Sequence, residues 1–291
     1  MSYDSRLSAA FKNAPVLPLN GCRRYCLISD CHRGDGSSND NFLKNQTLYF
    51  TALKYYYANG FTYIELGDGD ELWENRRMSQ IIEIHNNVFW LFSLFHRQNR
   101  LYLLYGNHDI EKKKPGYSGR VCKTYFCTDT QCCEELFPDF DFHEGLILEN
   151  RSRSYRLYLT HGHQADFWNS TGWRITRFLV RYLWKPLEHF GVLDPTSAAK
   201  NYTRKDHVEQ RLADYASKNN ISLVTGHTHR PRLDPGAPSY MNTGSCVHPR
   251  CITCIEIQGS AALLVKWTYD TRRDNSLYVS REVLSQMTLF E

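Results

Sequence analysis

Five short runs of β-branched, aromatic and aliphatic residues each stop on a tight cluster of Asp, His, Asn and Gly, and no other feature of the sequence restricts the fold as strongly. The runs are Tyr25 to Ser29, Phe61 to Leu66, Leu101 to Tyr105, Tyr155 to Leu159 and Ile221 to Thr225. Their residue types favour a pleated, buried surface, and each run predicts a strand. The clusters are Asp30-Cys31-His32, Gly67-Asp68, Gly106-Asn107-His108-Asp109, Thr160-His161-Gly162-His163 and Gly226-His227-Thr228-His229. Loops at the carboxyl edge of an α/β sheet converge while the strands hold their geometry, so five such ends predict one shared polar site.

Helical periodicity recurs between the strands. From Asn39 or Asp40, read as an N-cap, a helix is expected through Phe42, Leu48, Leu53 and Tyr56 to the stop signal Asn59-Gly60. A second helix is expected from about Met78 to Gln98. The alternation predicts an α/β fold with a largely parallel sheet core. Residues up to Gly21 read as a polar arm. Cys251 to Gln258 and Ala261 to Tyr269 read as a hairpin across Gly259-Ser260. The chain is expected to form a single domain over 1–291, with a Cys-containing insertion at about 111–150, where little is assigned, and a helical one at about 165–215.

With 42% hydrophobic and 23% charged residues, the 291-residue chain can bury a sizeable core. The net charge of +4 suits an anionic substrate and falls short of the basic footprint of a nucleic-acid binder. No apolar run reaches the roughly 18 to 20 residues of a spanning helix, and Met1 to Asn20 has no leader-like apolar stretch, so a cytoplasmic protein is expected. In that compartment the ten cysteines read as reduced thiols. Cys251 and Cys254 fall on opposite faces of an alternating strand, which argues against a zinc knuckle. Cys122, Cys127, Cys132 and Cys133 are clustered near His143, without the paired spacing of a structural zinc site.

Asp, His and Asn supply the oxygen and nitrogen donors that suit Mn²⁺, Fe²⁺ or Zn²⁺, and a carboxylate can bridge two such ions. Two ions roughly 3.5 to 4 Å apart lower the pKa of a water between them and clamp both oxygens of an in-line displacement at phosphorus. That chemistry is phosphoester hydrolysis. Taken singly, Asp-x-His and Gly-Asp read as turns and His-x-His is a weak sign of a metal. Their joint occurrence, each at a strand end, points to one centre.

Taken in order, Asp30-x-His32, Gly67-Asp68-x-x-Glu71, Gly106-Asn107-His108-Asp109, His161-Gly162-His163 and Gly226-His227-x-His229 resemble the motifs of the calcineurin-like metallophosphoesterase superfamily. The resemblance runs from about Tyr25 to Ser245 and includes Asn242-Thr243-Gly244-Ser245. Within the superfamily, Gly67 to Trp73 and Gly226 to Pro231 are similar to the UDP-2,3-diacylglucosamine pyrophosphohydrolases of lipid A synthesis. The resemblance implies a sandwich of two mixed β-sheets flanked by helices, with a helical lid insertion. It implies that Asp30, His32 and His229 hold one of two divalent ions, most simply Mn²⁺, that Asn107, His161 and His227 hold the other, and that Asp68 bridges them. His108 would then meet the phosphoryl group, with Asp109 orienting its imidazole. The lipid A enzymes commonly carry Arg at the His108 position, so His108 follows the wider superfamily instead.

Around this set, Arg76, Arg174, Arg177 and His163 are candidate substrate contacts. Arg suits bidentate phosphate binding, whereas a solvated helix start competes for Arg76 and Arg77 and a self-bonded polar loop for His163 and Asp166. Asp70 and Glu71 either anchor the loop after Asp68 or face solvent. Trp168, Trp173, Ile175, Phe178, Tyr182, Leu183, Leu187 and Phe190 recur near helical spacing, with Arg174, Arg177, Arg181 and Lys185 on another stripe. Such a helix either packs its aromatic face on the core or acts as a lid for a substrate with an apolar tail, and about 168–190 would then touch a membrane surface. In the lipid A enzymes an insertion at this position covers acyl chains. The expected substrate is therefore a phosphodiester or pyrophosphate that is lipid-like or nucleotide-linked. A phosphomonoesterase or phosphoprotein phosphatase, a nuclease, and a non-catalytic scaffold are the alternatives, and a nuclease would bind with a steep salt dependence.

Overall fold

A computed structural model describes residues 2–291 apart from 38–39, 128–129, 171, 185–201, 235 and 237–238. Two six-stranded mixed sheets face one another, and helices cover their outer surfaces. All five expected runs are strands: β2 (Arg24–Ile28), β3 (Thr62–Leu66), β4 (Leu101–Leu104), β8 (Tyr155–Thr160) and β9 (Ser222–Thr225). The first three lie side by side and parallel in one sheet, which continues antiparallel through β12 (Cys251–Gln258), β13 (Ala261–Thr271) and β14 (Leu277–Thr288). The other two are parallel neighbours in the second sheet, between β7 (Gly145–Asn150) and β11 (Tyr240–Asn242). The expectation of a largely parallel core thus holds within each group of motif-bearing strands, while the remaining strands make both sheets mixed.

Three apolar layers hold these sheets. Leu27, Ile64, Leu66, Leu104, Leu146, Leu157, Leu159, Val224, Ile255 and Ile257 fill the space between the sheets. On the far side of the first sheet, α2 (Gln46–Ala58), α3 (Met78–Ile84) and α4 (Asn86–Arg97) bury Leu48, Leu53, Tyr56, Ile81, Phe89, Phe92 and Phe95. On the far side of the second, α1 (Tyr3–Phe11) and the helix Tyr202–Lys218 bury Leu7, Val208, Leu212 and Tyr215. Strands covered on both faces need continuous apolar runs, and β3 and β9 are accordingly buried at every position.

Several local expectations are corrected. The polar arm is a helix and a strand: Ser2 caps α1 by accepting from the Ser5 N–H, and β1 (Val16–Pro18) pairs parallel with β7. Asp40 caps no helix; its carboxylate accepts from the N–H groups of Gly36 and Phe42, and α2 starts later, at Gln46. Asn39 lies outside the described residues. The helix expected over Met78 to Gln98 breaks at His85, whose buried ring turns to Gly34 and Asp40 at 3.2 Å each. The stretch 111–150 contains the small hairpin β5 (Thr124–Cys127) and β6 (Cys132–Glu135) and ends in β7, a strand of the second sheet. The hairpin of β12 and β13 has the expected register, with Gln258 opposite Ala261.

Candidate metal centre

The loops after β2, β3 and β4 and those after β8 and β9 meet where the carboxyl edges of the two sheets face each other. The ladder runs on past the strand ends: Asp30 N–H donates to Gly67 O, His32 N–H to Asp68 O, and Gly226 N–H to His161 O. These turns are tight. Asp30, His32, Asp68, His227 and His229 have φ of 52°, 48°, 50°, 70° and 55°, in the left-handed region that side chains other than Gly, Asn and Asp enter at a cost. A Cβ on Gly106 would lie 2.1 Å from Asp68 Oδ1, so only glycine lets the two loops approach this closely.

Three sets of side chains offer ligand atoms within 4.8 Å of one another: Asp30, His32 and His229; Asp68, His161 and His227; and His32, Glu71 and His108, which overlaps the first at His32. The first two hold the expected ligands and are the two ligand groups. Asp68 Oδ2 stands 3.9 Å from His32 Nε2 and 3.1 Å from His161 Nε2, between the groups. The far sides of Asp30, Asp68 and His161 are already engaged. Asp30 Oδ2 accepts from His227 N–H, Asp68 Oδ1 from His108 N–H, and His161 Nδ1 meets Leu66 O. These bonds set ring and carboxylate orientation, as outer partners do in metal sites. The inward atoms have no such partner: Asp30 Oδ1, His32 Nε2, Asn107 Oδ1, His161 Nε2 and His227 Nε2 are buried without a hydrogen bond. Buried polar atoms are rarely left so, and five of them converging from four loops fit a cation-binding donor set.

The electrostatics agree. Burial pushes the Asp30 and Asp68 carboxyls up, yet the histidines around them, His229 and His161 for Asp30 and His161 and His108 for Asp68, hold both well below the usual range. Burial lowers His161, but Asp68 and Asp30 lift it to about 9. The negative potential that holds a proton there also attracts a divalent cation.

His108 and Asp109 require one correction. Asp109 does not orient the imidazole. Its carboxylate accepts from the N–H groups of Gly106, Asp68 and Gly69 and from Lys112 at 2.6 Å, so it shapes the loops instead. Glu71 takes the orienting role: its carboxylate meets His108 Nδ1 at 2.9 Å and His32 Nδ1 at 2.8 Å. Burial lowers the His108 pKa, but the Glu71 and Asp68 carboxylates raise it above its ordinary value. With Nδ1 held by Glu71, the His108 Nε2 faces away from that carboxylate. In Glu71→Gln the lost negative charge lets the His108 pKa fall. The alkaline limb of the pH–rate profile is therefore expected to move to lower pH, with kcat down on the order of 10²-fold. An unmoved limb would show that Glu71 does not set this titration.

Two further features have no counterpart among the expected contacts. Trp73, 2% exposed, stacks on His108 with centroids 4.2 Å apart and planes at 23°. Behind the loops lies a buried charge network: Arg33 pairs with Glu65 and Asp70 at 2.8 Å each, and Lys112 with Asp70 and Asp109 at 2.6 Å each. Burial raises Asp70, but Arg33 and Lys112 bring it down to about 2. A Lys three residues after Asp109 is the one local sign of this network in the sequence.

The candidate substrate contacts are placed unevenly. His163 is buried beside His161, with centroids 5.5 Å apart, and burial, helped by the neighbouring His161, pushes its pKa well down. Arg76 donates to Tyr182 Oη, Arg177 pairs with Glu111, and Arg174 is exposed over the Trp173 ring. The helix Trp173–Leu179, extended by a π-helical turn Val180–Trp184, inverts the ordinary amphipathic arrangement. Its Arg177 and Arg181 turn toward the site loops, whereas Ile175, Phe178 and Tyr182 are 61%, 61% and 52% exposed. Lys185, Leu187 and Phe190 lie outside the described residues. Among the described residues, no cysteine belongs to a ligand group, and no helix is long and apolar enough to cross a membrane.

No curated protein matches the chain. Solved structures similar to it include a predicted phosphoesterase from Streptococcus pneumoniae, 15% identical, with 90% of this chain and 97% of that one covered and a TM-score of 0.38. Vps29 from Chaetomium thermophilum is 12% identical, with 91% and 98% covered and a TM-score of 0.41. A point mutant of a cold-active protein tyrosine phosphatase is 13% identical, with 94% and 83% covered and a TM-score of 0.41. Likeness this distant carries no weight for function. The model of the calcineurin-like phosphoesterase family matches residues 23–231, the span that holds every candidate ligand and the loops that carry them. The chain therefore belongs to the calcineurin-like phosphoesterases, hydrolases that act on phosphoester bonds.

Proposed function

We propose that this phosphoesterase cleaves a phosphodiester or pyrophosphate bond in a lipid-like or nucleotide-linked substrate, with two divalent cations, Mn²⁺ foremost, that the two ligand groups would hold. When bound, such ions polarise the phosphoryl oxygens and lower the pKa of water. Asp30, His32 and His229 would hold one, Asn107, His161 and His227 the other, and Asp68 both. His108 Nε2 donates to a nonbridging or leaving oxygen, while Glu71 keeps its Nδ1 occupied and its ring in place.

The observation that carries the choice of substrate is the inverted helix. Ile175, Phe178 and Tyr182 form an exposed apolar stripe next to a site that must receive a phosphate, with Arg76, Arg174 and Arg177 nearby. A substrate with a charged head and an apolar tail meets both surfaces, and the same stripe is where the chain would rest on a membrane.

Mn²⁺-dependent hydrolysis of bis(p-nitrophenyl) phosphate beside p-nitrophenyl phosphate tests the reaction class: faster diester cleavage supports the reading, and faster monoester cleavage makes the protein a phosphatase. Ile175→Ser/Phe178→Ser tests the tail. It is expected to lower kcat/KM for a lipid-linked diphosphate by about 10²-fold, from the loss of two apolar contacts, and to leave the chromogenic diester within about twofold. Equal loss on both substrates would assign the stripe to folding.

A further inference from the structure

The loop after Asp68 touches two things at once. On its inner side Glu71 and Trp73 enclose His108, one at the Nδ1 edge and the other flat on the ring face. On its outer side the carbonyls of Leu72 and Trp73 accept from Arg181, from Nη2 and Nε respectively, at 2.7 Å each. Two parallel charge-assisted bonds from one planar guanidinium fix the orientation of the peptide that carries the indole, which a single flexible contact would not do. The same helix reaches this loop a second time, where Tyr182 meets Arg76.

We propose that Arg181 is a positioning residue for His108: by holding the Leu72 and Trp73 carbonyls it keeps the Trp73 indole stacked on the imidazole, so the seating of the helix that carries the apolar stripe sets the geometry of the proton donor. The inference rests on the reading of His108 as the group that meets the phosphoryl oxygen. It adds that whatever occupies the stripe is felt at the reacting centre through one arginine. A catalytic group displaced by a fraction of an ångström loses rate and not affinity, which separates this role from phosphate binding by Arg181.

The test is Arg181→Met, which keeps the aliphatic stem and removes the donors, measured on bis(p-nitrophenyl) phosphate, a substrate without an apolar tail. A loss of about tenfold in kcat is expected, with KM and metal content within about twofold and partial recovery in Arg181→Lys. In a His108→Ala background the same substitution is expected to cost nothing further, because the group through which it acts is gone. An equal loss in both backgrounds, or a loss carried by KM, overturns the proposal. A second readout does not depend on turnover. In the zinc-loaded protein the His108 ring protons, identified by their loss in His108→Ala, lie upfield under the indole, and Arg181→Met is expected to move them back toward an unstacked imidazole. Unchanged positions refute the coupling. If the wild type hydrolyses neither ester, the proposed substrate reading is what fails, and the ring protons alone decide whether Arg181 holds the stack.

Discussion

In Asp68→Asn, hydrolysis of bis(p-nitrophenyl) phosphate is expected to fall by about 10³-fold or more, the several kcal/mol that an ion pair at phosphorus supplies. The Asp68 carboxylate lies between the two ligand groups, 3.1 Å from His161 and 3.9 Å from His32, and its other oxygen already accepts from His108 N–H. An amide keeps the shape and removes the charge that both groups would share. The second expected outcome is therefore a lower metal content, read by inductively coupled plasma spectrometry on the same sample. An Asp68→Asn protein with full metal and full rate would end the two-cation reading.

His108→Ala is expected to separate the two properties that Asp68→Asn loses together. His108 shares a group with His32 and Glu71 but belongs to neither of the groups that contain Asp30 or Asp68. With its Nδ1 taken by Glu71, its removal is expected to leave metal content at the wild-type level while kcat drops by about 10² to 10⁴, the range for one positioned proton donor. The pH dependence has a definite sign. Glu71 and Asp68 raise the His108 pKa against the effect of burial, so the imidazolium is present below that raised value and is lost as pH climbs through it. Wild-type activity should then decline on the alkaline side, and the decline should be absent from the residual activity of His108→Ala. Loss of metal in this variant would place His108 among the ligands instead.

Two carboxylates show where local reading of a sequence stops. Asp109 follows His108 directly and is its natural partner by position, yet adjacent side chains at a tight turn diverge, and Asp109 points back under the loop to three N–H groups and Lys112. Glu71, thirty-seven positions away, arrives at the ring because β3 and β4 are parallel neighbours whose loops leave the same edge. The helix from Trp173 shows the same limit. Spacing set Ile175, Phe178 and Tyr182 apart from Arg177 and Arg181, while Trp173 lies under Arg174 and Arg177; which stripe faces the protein depends on the partners available, here Glu111 and the carbonyls of Leu72 and Trp73.

The sequence by itself determined the five strands, the clusters at their ends and the donor chemistry of those clusters. These follow from residue type and short-range spacing: β-branched and aromatic runs favour pleated backbone, and Asp, His and Asn keep their donor atoms in any fold. Only the tertiary structure decided that three of the strands lie in one sheet and two in another, and that the two edges face each other so that Asp30 meets His229 and Asp68 meets His161. It also decided that Glu71, Trp73 and Arg181 form the surroundings of His108. Sheet pairing and loop-to-loop contact are set by burial summed over the whole chain and by steric exclusions such as the one at Gly106, and neither is written in any short window of residues.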